Sequence, residues 1–285
     1  IIPGKNHTGE RGMMQKVTDN VYVGTGFRGC NSSFVVTGGG VVIIDTPMVP
    51  AEAKQWREDA EKHGKIEYVI NNEPHPDHIA GDCWFPGKLI AQEDARPAMM
   101  QVRKEEVENG LKFMAPDAPP LDKEFRFRMP DITFSEKLTL YLGKHTFHLM
   151  HLPGHTASQA AVYVPEEKVL FTSDNVIQAM PIMFQCVPYG WLDSLKKLQQ
   201  LDVEIIVPGH GEVGDKSYLQ TMYDSVKYCV DSIKAAMDKG WSLEKIQKEV
   251  TFAEKFPPMG PDDPMAGMRH NSIARVYEML QKEKP

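Results

Sequence analysis

The sequence predicts an α/β protein made of two β-sheets packed face to face, with helices outside. Three observations carry that expectation. Val41-Val-Ile-Ile-Asp45 is a short, unbroken apolar run, which reads as a strand buried on both faces. Strand-like stretches are followed by a helix-like stretch, and then strands and helices come again. Leu192, Leu195, Leu198 and Leu201 recur every third residue, as on an amphipathic helix. No linker separates two halves and no short-period repeat is visible, so the 285 residues are read as a single domain, 1–285.

Taken in order, residues 1–20 are polar and Gly-rich and read as a surface arm that could cross to a second subunit. Val21-Tyr-Val-Gly24 opens a strand. Ser33–Thr37 and Val41–Asp45 flank Gly38-Gly-Gly40 and read as a hairpin. Ala51–His63 has helical spacing and stops at Gly64. Ile66–Ile70 is a strand that delivers a loop held out of helix by Pro74 and Pro76. Trp84 and Phe85 anchor that loop to the core. Lys88–Ala91 is a further strand, followed by a helix.

Residues of about 100–130 break the pattern: Gln101–Met114 is charged and helical, and Ala115–Asp122 is rich in proline. They read as an insertion over the active site or at a subunit contact, with a solvated excursion as the plain alternative. Ile132–Leu142 and Thr146–Leu152 read as antiparallel strands, with His145, His148 and His151 structural. Gln159–Val164 and Val169–Thr172 form the next hairpin, closed by Asp174 and Asn175. Glu204–Pro208 leads as a strand to His210. Tyr218–Lys239, Leu243–Val250 and Ser272–Lys282 read as helices, with Arg269-His270-Asn271 as the start and packing contact of the last.

Composition narrows the function. Apolar residues make up 41% and charged residues 25%, the balance of an ordinary globular protein. A net charge of −7 argues against nucleic acid or an anionic membrane as the main partner. No apolar run approaches the roughly 20 residues that span a bilayer. The chain opens on Ile-Ile-Pro, which leaves the compartment open: soluble, and cytoplasmic or periplasmic if a leader was removed. Cys30, Cys83, Cys186 and Cys229 form no CxxC pair, so neither a zinc ribbon nor a thioredoxin-like site is indicated, and Cys83 reads as a small buried residue. Sixteen methionines is a high count. Met99, Met100, Met180 and Met183 could line an adaptable pocket, with core filling the commoner role.

The chemistry concentrates in Glu73-Pro-His75-Pro-Asp77-His78. Imidazole and carboxylate packed this densely on a loop at a strand's end are what a borderline cation such as Zn(II) takes. Two more histidines sit in Pro-Gly-His settings, His155 and His210. Between them Asp174-Asn175 ends a strand.

This ordered set resembles the metallo-β-lactamase fold superfamily, and the resemblance runs from about Val21 to His210. It implies an αββα sandwich. It also implies two metal positions: one held by the first two histidines of a His-x-His-x-Asp-His motif and a later His, the other by Asp77, His78 and His210, with Asp174 shared. This chain departs at the first position, where Glu73 replaces histidine and leaves Glu73, His75 and His155, a set better suited to a harder ion. The flavodiiron proteins place their Glu second in the motif and carry a flavin domain, so a di-iron oxygen-reducing role is not expected.

Among known relatives the chain looks most like the hydrolytic dehalogenases of the chlorothalonil type. That likeness implies one Zn(II) per active site on Asp77, His78, His210 and either Asn175 or Asp174. Glu73 and His155 would form a possible second site or a surrounding shell. His75 is freed to act as general base toward a water whose pKa the zinc lowers toward about 7. Hydroxide would then replace chloride on an electron-poor aromatic ring stacked against Trp191, Tyr189, Phe184 or Met180. The alternatives are a lactonase or β-lactamase-like amide or ester hydrolase using the same water, and a metal-binding relative without turnover. A small-molecule substrate is expected in every catalytic case, and a homodimer is possible.

Overall fold

The computed structural model describes residues 14–257, 263 and 265–282. In these, two mixed sheets stack between helices, the architecture expected for an αββα sandwich. Residues 1–13 of the expected arm lie outside the described residues.

The first sheet has the order β1 (Met14–Lys16), β2 (Val21–Gly24), β3 (Ser32–Val36), β4 (Val41–Ile44), β5 (Ile66–Asn71), β6 (Lys88–Gln92) and β7 (Ile132–Phe134). β1 to β4 run antiparallel and β4 to β7 parallel. The parallel half needs crossovers, and α1 (Pro50–Glu61) supplies the first. Pro at its first turn costs α1 nothing, because that N–H has no partner within the helix.

The second sheet has the order β12 (Ile205–His210), β11 (Val169–Ile177), β10 (Ala160–Val164), β9 (His145–His151) and β8 (Lys137–Leu142). Only β11 and β12 pair in parallel.

The apolar run at β4 shows why the sandwich forms. Val42 and Ile44 face the inter-sheet core, where they meet Ile70, Ile90, Phe147, Val162 and Phe171. Val41 and Ile43 face the other way, onto Ala53, Trp56 and Ala60 of α1. With a period of two, a strand that is apolar throughout must be covered on both sides. The outer face of the second sheet is covered by α5 (Pro188–Leu198), α6 (Ser217–Asp238) and α8 (Ala266–Lys282). On α5 the leucine spacing works as expected: Leu192, Leu195 and Leu198 are buried.

Several boundaries differ from expectation. Ile132–Leu142 is not one strand: β7 closes the first sheet and β8 opens the second, so the chain changes sheets at Ser135-Glu136. Pro76 does not hold its loop out of helix. It occupies the first turn of the short α2 (Pro76–Ile79), which runs into a 3-10 turn over Ala80–Trp84. The last helix begins at Ala266, so Arg269-His270-Asn271 lies inside it. Cys83 is only half-buried. The helix expected after β6 is α3 (Ala95–Gln101), and the insertion that follows carries α4 (Lys104–Met114). Val107 and Leu111 of α4 pack with Met48 and Ala80, so the insertion braces the segment that follows Asp77-His78. It is tied down further by Arg28 to Asp117 and by Lys54 to Asp122.

Candidate metal centre

The site lies at the ends of β5 and β12 and at the middle of β11. β5 hands over to Glu73, His75, Asp77 and His78, β11 carries Asp174, β12 ends on His210, and the turn after β9 brings His155. The two sheets are stitched at this edge. Asn31 donates from its backbone to Gly209 O (2.7 Å), and Ala160 N donates to Asn72 O (2.7 Å).

Three groups of ligand atoms converge: Glu73, His75 and His155; Asp77, His78 and His210; and Glu73, His78 and Asp174. In the first, Glu73 Oε2 lies 2.6 Å from His75 Nδ1 and 3.6 Å from His155 Nε2. In the second, Asp77 Oδ2 lies 3.3 Å from His210 Nε2 and 3.7 Å from His78 Nε2. Asp174 faces both. Its Oδ2 is 3.7 Å from His155 Nε2, while its Oδ1 is 3.3 Å from His210 Nε2 and 3.4 Å from His78 Nε2.

Two strained residues aim this cluster. Asp45 closes β4 at φ +51° and Ser173 interrupts β11 at φ +46°, both in the left-handed region that non-glycine residues avoid. Asp45 accepts from Asn72 N through Oδ1 (2.8 Å) and places Oδ2 3.3 Å from His78 Nδ1. Ser173 Oγ lies 3.0 Å from Asp45 Oδ2 and 3.1 Å from His78 Nδ1. His155 Nδ1–H donates to Ile182 O (2.8 Å), and His75 Nε2 is held by Gln185 Oε1 (3.0 Å). On His75, His78 and His155 one ring nitrogen is therefore engaged away from the cluster, which fixes the tautomer and turns the other inward.

The electrostatics show what the cluster lacks. Burial alone would depress His75, but Glu73 beside it lifts its pKa to about 9. Burial would likewise depress His210, but Asp174 and Asp77 raise it to about 10. Burial disfavours ionisation of Asp174, yet His210 and His78 hold its carboxyl well below the usual range. His155 is pushed down, mainly by burial. Glu73 Oε2, His78 Nε2, Asp174 Oδ1 and His210 Nε2 are buried without a hydrogen-bond partner among the described residues. Such polar atoms are rare in a folded interior, and four distributed over these ligand groups are what bound cations satisfy. The donor set fits a metal.

Asn175 is not among these atoms. Its Oδ1 accepts from His155 N (2.9 Å) and its Nδ2 donates to Leu152 O (2.8 Å), so both ends of the amide brace the Pro-Gly-His turn. The fit is close: a Cβ on Gly154 would lie 2.1 Å from Asn175 Oδ1. Of the two neighbours left open by the sequence, Asp174 turns its carboxylate to the cluster, while both ends of the Asn175 amide are turned to the backbone.

The expected aromatic pocket also changes. Trp191 is fully buried, donates Nε1–H to Asn175 O (3.0 Å) and packs its ring 5.8 Å from that of His155, behind the site. Tyr189 is 39% exposed on the first turn of α5. Phe184, 5.8 Å from the His75 ring and 6.4 Å from that of His155, is the aromatic at the cluster. Met180 lines a neighbouring cleft. Sequence reasoning missed Asp45, Ser173 and Gln185. The available signal was the Asp that closes the apolar run Val41–Ile44.

The sequence model of the Metallo-beta-lactamase superfamily matches residues 25–210. The chain is 25% identical to Beta-lactamase-like protein 2 homolog of Caenorhabditis elegans, over 90% of this chain and 78% of that protein. It is 23% identical to Metallo-beta-lactamase type 2 of Elizabethkingia meningoseptica, over 78% of this chain and 88% of the other. Among solved structures, a metallo-beta-lactamase from Pontibacter korlensis superimposes with a TM-score of 0.59 at 20% identity, over 76% of this chain and 99% of that one. The matched stretch ends on His210, the last residue of the cluster just described, and the chain belongs to the metallo-β-lactamase superfamily, whose members are metal-dependent hydrolases.

Proposed function

We propose that this protein is a hydrolase of small molecules carrying an electrophilic acyl group, a lactam, lactone or thioester, and that it works with two divalent cations. Glu73, His75 and His155 would hold one and Asp77, His78 and His210 the other, with Asp174 shared. The observation that carries this reading is Asp174, whose two oxygens address the two groups separately. Cations in these groups supply a lowered pKa for water and polarisation of a carbonyl oxygen. Mixed imidazole and carboxylate donors suit Zn(II), and Glu73 makes the first group the harder of the two.

The chain's own residues do the rest. Asp45, Ser173, Gln185 and the Ile182 carbonyl keep the protons of His78, His75 and His155 on the nitrogens facing away, so their other nitrogens stay free to ligate. Phe184 covers His75 and His155 and keeps bulk water off that side. We assign His75 to ligation through Nδ1, because its Nε2 is already engaged by Gln185.

Replacement of chloride on an aromatic ring is the second reading. It needs a free His75 and one metal with Asn175 or Asp174 among its ligands, and the contacts of His75 with Gln185 and Glu73 favour the acyl reading. Elemental analysis of the parent and of His75→Ala, with turnover on a lactam, a lactone, a thioester and chlorothalonil, separates them. We expect two cations per chain, falling toward one in the variant, and acyl hydrolysis. One zinc in both proteins, with chloride release lost only in the variant, would sink the acyl reading.

A further inference from the structure

Beside the second ligand group, the end of β11, the start of α6 and the turn around Lys255 line an open cleft of about 440 Å³. That is within the range of roughly 300–1,000 Å³ for small-molecule sites. It adjoins the cluster through Gln178, which lines it and whose N–H donates to His210 O (3.3 Å). The wall is divided by chemistry. Met180, Met222 and Phe256 give apolar surface, Tyr218 and Thr221 give hydroxyls, and among the described residues Lys255 is the only charged one in the lining.

Lys255 is presented rather than neutralised. Its Nζ lies 5.8 Å from the ring centre of Tyr228 and 5.9 Å from that of Phe256, and among the described residues no carboxylate lies within 4.0 Å of it. The turn that carries it is fixed from beneath. Phe252 is buried in the left-handed region at φ +55°, and its carbonyl accepts from the N–H of Lys255 (3.1 Å) and of Phe256 (2.8 Å). Strain of this kind persists only where the surroundings demand it. Tyr218 Oη accepts from Gln178 Nε2, which leaves the phenol proton free to donate. An ammonium beside an apolar wall suits an amphiphile with an anionic end.

We propose that this cleft binds the non-reacting arm of the substrate, an apolar chain or ring ending in a carboxylate. The carboxylate sits at Lys255, and the apolar part lies against Met180, Met222 and Phe256. That the arm belongs to a substrate rests on the hydrolase reading; that the cleft takes such an amphiphile does not.

The test is calorimetric titration of the metal-loaded full chain with octanoate and with octanol, in the parent, Lys255→Ala, Lys255→Arg and Thr221→Trp. Lys255 and Thr221 are exposed, so these substitutions leave the buried core untouched. The parent should bind one octanoate per chain, about tenfold or more tighter than octanol, the scale of a hydrogen bond to a charged group. Lys255→Ala should erase that preference, Lys255→Arg should retain it, and Thr221→Trp should obstruct both ligands. Octanoate binding that survives both Lys255→Ala and Thr221→Trp is coordination at the metal cluster and overturns the proposal. So does octanol binding as tightly as octanoate, or no binding of either. No turnover is measured, so failure here leaves the hydrolase reading to its own metal and turnover test.

Discussion

Changing Asn175 to alanine and to aspartate separates a brace from a ligand. The side chain is fully buried and makes two hydrogen bonds, one at each end of its amide. Alanine removes both, at about 1 kcal/mol each, and strands the His155 N–H and the Leu152 carbonyl, at about 1–3 kcal/mol apiece. Allowing for partial relaxation, we expect Asn175→Ala to lose about 3–5 kcal/mol. Aspartate keeps the acceptor toward His155 but turns an oxygen onto the Leu152 carbonyl, which repels it. The new carboxyl must ionise without a partner or take up a proton, so Asn175→Asp should lose at least as much. The assay is urea unfolding of metal-stripped and metal-loaded protein, with elemental analysis of each. A brace predicts the same loss with and without metal, and unchanged stoichiometry. A ligand predicts the reverse: aspartate, the better donor for zinc, matches the parent, while alanine loses cations. That second pattern would refute the placement of Asn175 and revive the dehalogenase reading.

Three further outcomes follow from named contacts. A Cβ at Gly209 would lie 1.9 Å from Asp174 Oδ1 and 2.7 Å from Asp174 N, so Gly209→Ala should displace the shared carboxylate and weaken metal retention about 10–100-fold. Dialysis against a chelator followed by elemental analysis measures this, and full retention would contradict it. Glu73→His exchanges one of three cluster carboxylates for an imidazole and should raise the preference of the first group for zinc over manganese by about tenfold. Chelator competition measures the ratio, and an unchanged ratio would count against Glu73 as a ligand.

Asp82 supplies the pH dependence. Burial lifts its pKa to about 7, against the pull of Asn71 and Thr46, whose donors both reach Oδ1. The folded value lies above the unfolded one, so this group's contribution is complete below about pH 4 and is lost as pH rises through about 7. Relative to the parent, Asp82→Asn keeps the Oδ1 acceptor and should gain stability from pH 4 to 7, up to a ceiling of roughly 4 kcal/mol. Parallel stability–pH curves would refute that.

Much of the fold was legible because it depends on periodicity. Val41–Ile44 is apolar at every position and lies between two layers, and Leu192, Leu195 and Leu198 share a buried helix face. The cluster was legible because six of its seven residues sit in dense motifs: Glu73, His75, Asp77, His78, His155 and His210. Three things were not. The switch between sheets at Ser135-Glu136 leaves no mark in a local pattern, because β7 and β8 are both plausible strands. The choice between Asp174 and Asn175 depends on the kink at Ser173, a backbone angle that composition does not report. Asp45 lies far from the histidine motif in sequence and reaches His78 only through the parallel pairing of β4 with β5.

Neither ligand group is complete within one sheet. Glu73, His75, Asp77 and His78 follow the first sheet, while His155, Asp174 and His210 come from the second. Cation binding is therefore also sheet association, and a cation at a hundred times its dissociation constant adds about 2.7 kcal/mol to folding. Cellular proteases attack the opened state, whose population that term controls. Under metal starvation the protein would be cleared as well as silenced, so metal supply sets how many copies survive.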